Sequence, residues 1–119
     1  MAGVLAYIDD IFFQAKLMET ARHLGVDLRT SAVPDAFAAE IAKNNPNLLI
    51  VDLNARSNPL DVIIIARANA PAVPLVAFLS HVQTDLAEKA RAAGCAEVMP
   101  RSKFTRDLAT ILARAKSHS

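Results

Sequence analysis

Three aspartates stand at the carboxyl ends of short apolar segments in this 119-residue chain. Asp9 and Asp10 follow the first apolar segment, and Asp52 ends the third. Carboxylates that share a pocket repel one another, by about 4 kcal/mol for two unit charges ~4 Å apart at an effective dielectric of ~20. A divalent cation offsets that repulsion, and Mg²⁺ takes carboxylate oxygens while keeping several waters. A carboxylate beside such an ion is also placed to attack a phosphoryl group.

Apolar runs alternate with segments of helical spacing along the chain. The runs are continuous rather than alternating, which is typical of strands buried on both faces of a parallel sheet. This pattern predicts an α/β fold with a five-stranded parallel sheet and helices on both faces, in one domain over residues 1–119. The predicted strands are Val4–Ile8, Val26–Thr30, Leu48–Val51, Val73–Leu79 and Cys95–Met99.

Five helices are predicted between and after these strands. In the first, the side chains of Ile11, Phe12, Ala15, Met18 and Leu24 fall near one face, as in an amphipathic helix. The stretch from Ser80 to Gln83 has the spacing of a capping box ahead of the fourth helix. The predicted helices are Ile11–Leu24, a helix that begins at Pro34 and ends by Pro46, Leu60–Asn69, one between Ser80 and Gly94, and one from Ser102 or Thr105 to about Lys116.

Composition excludes several classes of protein. Hydrophobic residues make up 53% and charged residues 21%, a globular rather than a disordered profile. The net charge of +1 gives no basic field for nucleic acid, and the single cysteine, Cys95, excludes an internal disulfide framework. The longest nearly apolar stretch, Ala68 to Ser80, is shorter than the ~20 residues of a membrane span. We therefore expect a cytoplasmic protein without nucleic-acid or membrane partners.

The three aspartates are expected to meet. In doubly wound sheets, ligands bind beyond the carboxyl ends of the strands, where strand order reverses. If the first and third strands are neighbours, all three carboxylates converge at that edge. The chain resembles the receiver domain of response regulators over nearly its whole length. The residues that carry the resemblance are Val4–Asp10, Leu49–Asn54 and Ala92–Arg101.

The resemblance implies a fold, a site and partners. The fold is the flavodoxin-like (βα)5 arrangement with strand order 2-1-3-4-5. Asp9, Asp10 and Asp52 would hold Mg²⁺ together with the backbone carbonyl of Asn54, and Asp52 would be the phosphoacceptor. The implied partners are a histidine kinase or phosphotransfer protein, and a downstream protein that binds the face of the fourth helix, fifth strand and fifth helix.

The residues that respond to phosphorylation depart from the family pattern. The hydroxyl residue expected at the end of the fourth strand falls at Leu79, and Ser80 follows it. Either a small shift brings Ser80 to the phosphoryl group, or Ser80 caps the next helix. The switch aromatic expected on the fifth strand falls at Val98, which has no ring.

The expected Lys-Pro pair after the fifth strand is also changed. Arg101 stands in the place of lysine, Ser102 in the place of proline, and Lys103 lies two residues beyond Arg101. Arg101 and Lys103 are the candidate phosphoryl-binding cations. Arginine binds phosphoryl groups through a planar fork with a fixed charge, so it does not reproduce the geometry of lysine.

These features favour a signalling module over an enzyme. The first hypothesis is a receiver that accepts a phosphoryl group on Asp52 in two-component signalling and transmits the signal to a protein partner. The alternative is a pseudo-receiver that acts as a phosphate-independent interaction scaffold. A third hypothesis, a small phosphatase, has weak support because the residue two positions after Asp52 is Asn54, which cannot serve as a general acid.

Overall fold

The computed structural model describes residues 3–80 and 83–118. All five predicted strands are present, each with its ends within two residues of the predicted position. They are β1 (Val4–Tyr7), β2 (Leu28–Ser31), β3 (Leu48–Asp52), β4 (Leu75–Leu79) and β5 (Glu97–Pro100). The helices are α1 (Ile11–Leu24), α2 (Pro34–Asn44), α3 (Pro59–Asn69), α4 (Thr84–Ala93), α5 (Arg101–Arg106) and α6 (Leu108–Ala113), and a 3₁₀ turn follows over Arg114–His118.

The strands form one parallel sheet in the order β2-β1-β3-β4-β5, so the predicted topology is confirmed. Strand order reverses between β1 and β3, which are direct neighbours. Tyr7 pairs with Val51, and Asp52 pairs with Phe78 on β4, so these three strands end at the same edge of the sheet. The segments that follow β1 and β3 therefore leave the sheet side by side.

Each face of the sheet has its own apolar core. Val4, Ala6 and Ile8 belong to the core beneath α1, α5 and α6. Leu5 and Tyr7 belong to the other core, beneath α2, α3 and α4. Successive side chains of a strand point to opposite faces of the sheet. Because both faces are covered by an apolar core, the apolar run of β1 has no alternating polar positions.

The buried face of α1 is not the predicted one. Phe13, Leu17 and Ala21 face the sheet, whereas Phe12 is 85% exposed and Ile11 69% exposed. The helix carries two overlapping apolar stripes, so spacing alone does not select between them. The helix begins directly after the Asp10 cap, and the stripe of Phe13, Leu17 and Ala21 is the one that packs on the sheet.

The ends of the later helices also differ from prediction. Gln83 is the N-cap of α4, so Ser80 does not cap that helix. The intervening residues of the predicted capping box, 81 and 82, lie outside the described part of the chain. The predicted fifth helix starts earlier, at Arg101, and is divided at Asp107, where φ is −100° and ψ is 13°. Asp has low helix propensity, which permits a break there. None of the described helices is long and apolar enough to cross a membrane.

Candidate functional site at the carboxyl edge of the sheet

The three predicted aspartates line one open pocket at the carboxyl edge of the sheet. The pocket has a volume of about 480 Å³. It brings together three acidic side chains and two arginines, so charges of both signs meet in it. Its lining residues are Asp9, Asp10, Ile11, Asp52, Asn54, Arg56, Ser80 and Arg101.

Asp10 has a structural role in the pocket. Its Oδ1 accepts hydrogen bonds from the backbone N–H groups of Phe12 at 3.0 Å and Phe13 at 3.1 Å. This is the N-cap of α1, where a carboxylate satisfies free N–H groups and complements the helix dipole. The hydrogen bond from Phe13, the Arg101 side chain and the bond from Phe12 lower the pKa of Asp10 below its usual value.

Asp9 and Asp52 each hold part of the loop between β3 and α3. Asp9 Oδ2 accepts a hydrogen bond of 2.9 Å from the Arg56 N–H. Asp52 Oδ1 accepts one of 2.8 Å from the Asn54 N–H. Asp52 is only 4% exposed, and burial raises the pKa of its carboxyl, while the Asn54 N–H and the charge of Arg101 oppose that rise. Two backbone N–H groups of this loop are thus hydrogen-bonded to the carboxylates of Asp9 and Asp52.

Tyr7 anchors the same loop from below. Its buried hydroxyl donates to the backbone carbonyl of Ser57, and the carbonyl of Ala32 lies 3.4 Å away. Its ring contacts Phe37 edge to face, with centroids 5.5 Å apart. The sequence pattern gave Tyr7 no role; the signal for one was a hydroxyl-bearing residue in an otherwise aliphatic strand, because a buried hydroxyl needs a partner.

Tyr7→Phe is expected to loosen this loop while keeping the core packed. The lost hydrogen bond should reduce the free energy of unfolding by about 1 kcal/mol. Faster hydrogen exchange at the Arg56 N–H, measured by NMR, would show that the loop has been released. Ser57→Ala is the matched control: the Tyr7 bond goes to the Ser57 backbone carbonyl, so this variant should exchange like wild type. Equal exchange in Tyr7→Phe and wild type would contradict the anchoring role.

Arg101 reaches the pocket and pairs with Asp10. Its Nη2 lies 2.9 Å from Asp10 Oδ2. The guanidinium carbon lies 4.1 Å from the ring centroid of Phe13 and 5.7 Å from that of Phe78. Arg101, the predicted phosphoryl-binding cation, is therefore paired with an acid of the predicted metal site, and its binding of a phosphoryl group stays a prediction.

The other candidate residues are divided between the pocket and the surface. Ser80 lines the pocket, and its backbone N–H donates to the Asn54 side-chain carbonyl. Asn54 also donates from Nδ2 to Gln83 Oε1 at 2.9 Å. Leu79 is buried in the core, so Ser80 supplies the hydroxyl at this end of β4. Lys103 is exposed on α5 and does not line the pocket.

The carboxylates do not form a metal site in this arrangement. Both oxygens of Asp10 are engaged, one by backbone N–H groups and the other by Arg101. Within the described residues, no three His, Cys, Asp or Glu side chains are grouped so that they could hold a metal ion. The oxygen donors are of the type that Mg²⁺ takes, but as arranged they do not fit the ion. Magnesium binding by Asp9, Asp10, Asp52 and the Asn54 carbonyl stays a prediction.

Solved structures share the whole fold. The receiver domain of NtrX from Brucella abortus aligns with a TM-score of 0.82 and 20% identity, over 98% of this chain and 99% of that one. A response regulator receiver domain from Clostridium thermocellum aligns with a TM-score of 0.82 and 16% identity, over 99% and 96%. The beryllofluoride-activated NtrC4 receiver domain aligns with a TM-score of 0.80 and 19% identity, over 98% of each chain. No protein-family model matches the sequence, and no curated protein matches it significantly.

The fold and the pocket define a doubly wound, flavodoxin-like module with an acidic site at its switch point. More narrowly, the fold is that of response-regulator receiver domains. Another structure of NtrX from Brucella abortus contains a longer chain, and the alignment with it covers 99% of this chain and 28% of that one. At 20% identity and below, the likeness concerns the fold, and the chemistry must be argued from this chain's own residues.

Proposed function

We propose that this chain is a receiver module of two-component signalling that accepts a phosphoryl group on Asp52 and transmits the signal to a protein partner. The donor would be a histidine kinase or a phosphotransfer protein. The module would be a substrate of that donor rather than an enzyme with turnover of its own. The receiver-domain fold supports the class, and the geometry of the pocket supports the chemistry.

One observation carries the proposal: the environment of the Asp52 carboxylate. Asp52 ends β3 at the point where strand order reverses, in an open pocket beside Arg101. The Asn54 N–H donates a hydrogen bond to Oδ1 of this carboxylate, so the second oxygen would be the one that attacks the phosphorus. Burial raises the pKa of Asp52, so its conjugate base is a better nucleophile than an ordinary surface carboxylate.

The chemistry requires one bond to form and one to break. A carboxylate oxygen of Asp52 attacks the phosphorus, and the bond between phosphorus and the donor atom breaks as the aspartyl phosphate forms. The leaving group carries away the electron pair. Arg101 and the Ser80 hydroxyl line the same pocket and are the groups available to stabilise the phosphoryl oxygens. For Arg101, that role requires its release from Asp10.

The test is covalent capture of the acyl phosphate. The chain is incubated with acetyl phosphate, with and without added Mg²⁺, and its intact mass is measured. Borohydride then reduces the acyl phosphate to an alcohol, and peptide mapping locates the modified residue. Modification confined to Asp52 would support the proposal, and an adduct on another residue would overturn the assignment. No adduct from acetyl phosphate, nor from a panel of phosphorylated histidine-containing phosphotransfer proteins, would reject the acceptor role.

A pseudo-receiver scaffold is the second candidate. It is favoured by the Arg101–Asp10 pair, which occupies the predicted metal ligand, and by Val98 in the place of the switch aromatic. Such a module would bind its partner without phosphorylation. The same mass measurement separates the two candidates, because a scaffold forms no adduct and its partner binding is unchanged by acetyl phosphate.

The proposed downstream surface includes a mostly apolar depression between α4 and β5. Its volume is about 200 Å³. It begins next to Ser80, at Leu79, so the partner would bind close to the phosphorylation site. This position supports the proposed face of α4, β5 and α5. The lining residues are Leu79, Gln83, Thr84, Ala87, Arg91, Val98, Met99 and Pro100.

A further inference from the structure

Hydrogen bonds within the chain already engage the carboxylates of the acidic pocket. Both oxygens of Asp10 are occupied, Oδ1 by the cap of α1 and Oδ2 by Arg101. One oxygen of Asp9 and one of Asp52 accept backbone N–H groups of the loop after β3. Four of the six carboxylate oxygens thus accept from nitrogen donors of this chain. Mg²⁺ demands near-octahedral oxygen ligands, so it could bind here only after these contacts had been rearranged.

Arg101 is held in this pocket by an aromatic platform as well as by Asp10. Its guanidinium carbon lies 4.1 Å from the centroid of the Phe13 ring, within the range of a cation–π contact. The Phe13 N–H in turn donates to Asp10, so Arg101, Phe13 and Asp10 each contact the other two. Phe13 meets Phe78 edge to face at 5.3 Å, and Phe78 stacks on Phe104 with centroids 4.4 Å apart. Three packed rings therefore fix the position of the positive charge.

The chemistry of arginine suits this position better than that of lysine. The guanidinium is planar, stacks on aromatic rings and is more weakly hydrated than an ammonium group. It can therefore stay beside an acid with a side chain only 29% exposed. It also keeps its charge at every pH at which proteins are folded. Arg101 stands where the family pattern has lysine, so the departure in sequence coincides with a contact that lysine does not reproduce. A fixed positive charge offsets the repulsion between carboxylates, as a bound divalent ion would.

We propose that Arg101 is the internal counterion of the acidic pocket and takes the charge-compensating place of a divalent metal ion in this chain. The pocket then keeps its three carboxylates, its loop contacts and its fold without Mg²⁺. The predicted Mg²⁺ site is absent on this proposal, because its ligands are compensated from within the chain. The inference deepens the proposed function and rests on it for its meaning in signalling, but neither arm of its test uses a phosphoryl donor.

The first arm measures whether wild type takes up a metal ion. Backbone N–H signals of isotope-labelled protein are recorded by NMR in EDTA, in millimolar Mg²⁺, and with trace Mn²⁺ as a paramagnetic probe, all at equal ionic strength. The reporters, which donate to the three carboxylates, are the N–H groups of Phe12, Phe13, Asn54 and Arg56. Their signals should shift and broaden no more than that of Asp61, an exposed acid outside the pocket.

The second arm measures whether Arg101 compensates the acids, by thermal melts in EDTA. The melting-temperature gain from Asp52→Asn should be roughly twice as large in Arg101→Gln as in wild type, because Asp52 then lacks the cation in its pocket. Arg106→Gln is the matched control: Arg106 lies on the same helix, pairs with Asp107 at 3.3 Å, and its loss gives the same change in net charge. In that background the gain should equal the wild-type gain. If Arg101→Gln does not fold, Arg101→Met keeps the stem over Phe13 and carries the same prediction.

Two results would overturn the proposal. One is a selective shift or broadening of the four reporter signals by Mg²⁺ or Mn²⁺ in wild type. The other is an equal gain from Asp52→Asn in wild type and in Arg101→Gln. Metal uptake beside a normal aspartyl phosphate would reject only this inference. Both arms as expected, with no adduct from any phosphoryl donor, would reject only the proposed function.

Discussion

Asp52→Asn is expected to abolish phosphoryl incorporation and, with no donor present, to raise the melting temperature by about 2–5 °C. The amide has nearly the shape of the carboxylate but has no nucleophilic oxygen. It also removes a charge that is 4% exposed and lies in a pocket with two other acids. The expected loss of incorporation and the expected gain of stability have the same cause, because the burial that would prepare the carboxylate for the proposed reaction also makes its charge costly.

The stability gain should depend on pH in a defined direction. Burial raises the pKa of Asp52 above its value in the unfolded chain. A carboxyl of this kind stabilises the fold below its unfolded pKa, and that contribution is lost as pH rises through the folded pKa. The melting-temperature difference between Asp52→Asn and wild type is therefore expected to be largest at neutral pH and to shrink toward zero below about pH 4.

Asp61→Asn is the matched control for both effects. Asp61 is exposed in the first turn of α3 and does not line the pocket. Its replacement should leave incorporation unchanged and lower the free energy of unfolding by about 0.5 kcal/mol, because a helix N-terminus favours a carboxylate. An adduct on Asp52→Asn would place the acceptor elsewhere. A melting temperature that stays unchanged in that variant at neutral pH would contradict the account of charge burial.

The strands and the topology were predictable because they depend on short-range pattern and general rules of chain connection. Apolar runs of four to seven residues separated by helical segments leave few arrangements other than a parallel sheet with crossovers. The buried face of α1 was predicted wrongly. Ile11 and Met18 share a stripe that spacing marks as apolar, but the sheet is met by Phe13, Leu17 and Ala21. The choice depends on which stripe meets the sheet when the helix packs against it, which is a tertiary effect.

The sequence predicted which acidic residues lie in the candidate site, but it did not predict the contacts that they make there. Asp9, Asp10 and Asp52 had to lie at one edge once β1 and β3 were neighbours, and they line one pocket. Arg101 pairs with Asp10 because its side chain lies over the Phe13 ring, and the spacing of residues in the sequence does not predict that contact. Sequence pattern thus located the site, while packing decided which of its charges are already compensated.

Gly94→Ala is expected to cause the largest loss of stability among these substitutions, about 3 kcal/mol. Gly94 ends α4 with a φ of +122°, a conformation that costs a residue with a side chain roughly 1–3 kcal/mol. A Cβ at this position would also lie within 2.5 Å of Cγ and Cδ of Arg67, where no atom fits. The loss is measured by urea unfolding followed by circular dichroism, with wild type in parallel.

Gly25→Ala is a reference for a positive-φ substitution without a steric contact. Gly25 ends α1 at a φ of +71°, and a Cβ there would have no atom within 4 Å. This variant should lose only the conformational cost, about 1 kcal/mol. Equal losses in Gly25→Ala and Gly94→Ala would show that the contact with Arg67 contributes nothing.

The Arg67 contact can be measured directly with a double-mutant cycle. Arg67 lies across Gly94 and donates hydrogen bonds to the backbone carbonyls of Pro71 and Val73, so it cannot move aside without breaking them. Gly94→Ala should therefore cost less by about 1–2 kcal/mol when Arg67 is already alanine, since the obstructing side chain is gone. If the effects of the two substitutions on the free energy of unfolding are additive, the Arg67 side chain moves aside at no cost. In that case the glycine at this helix end would be required by its backbone conformation alone.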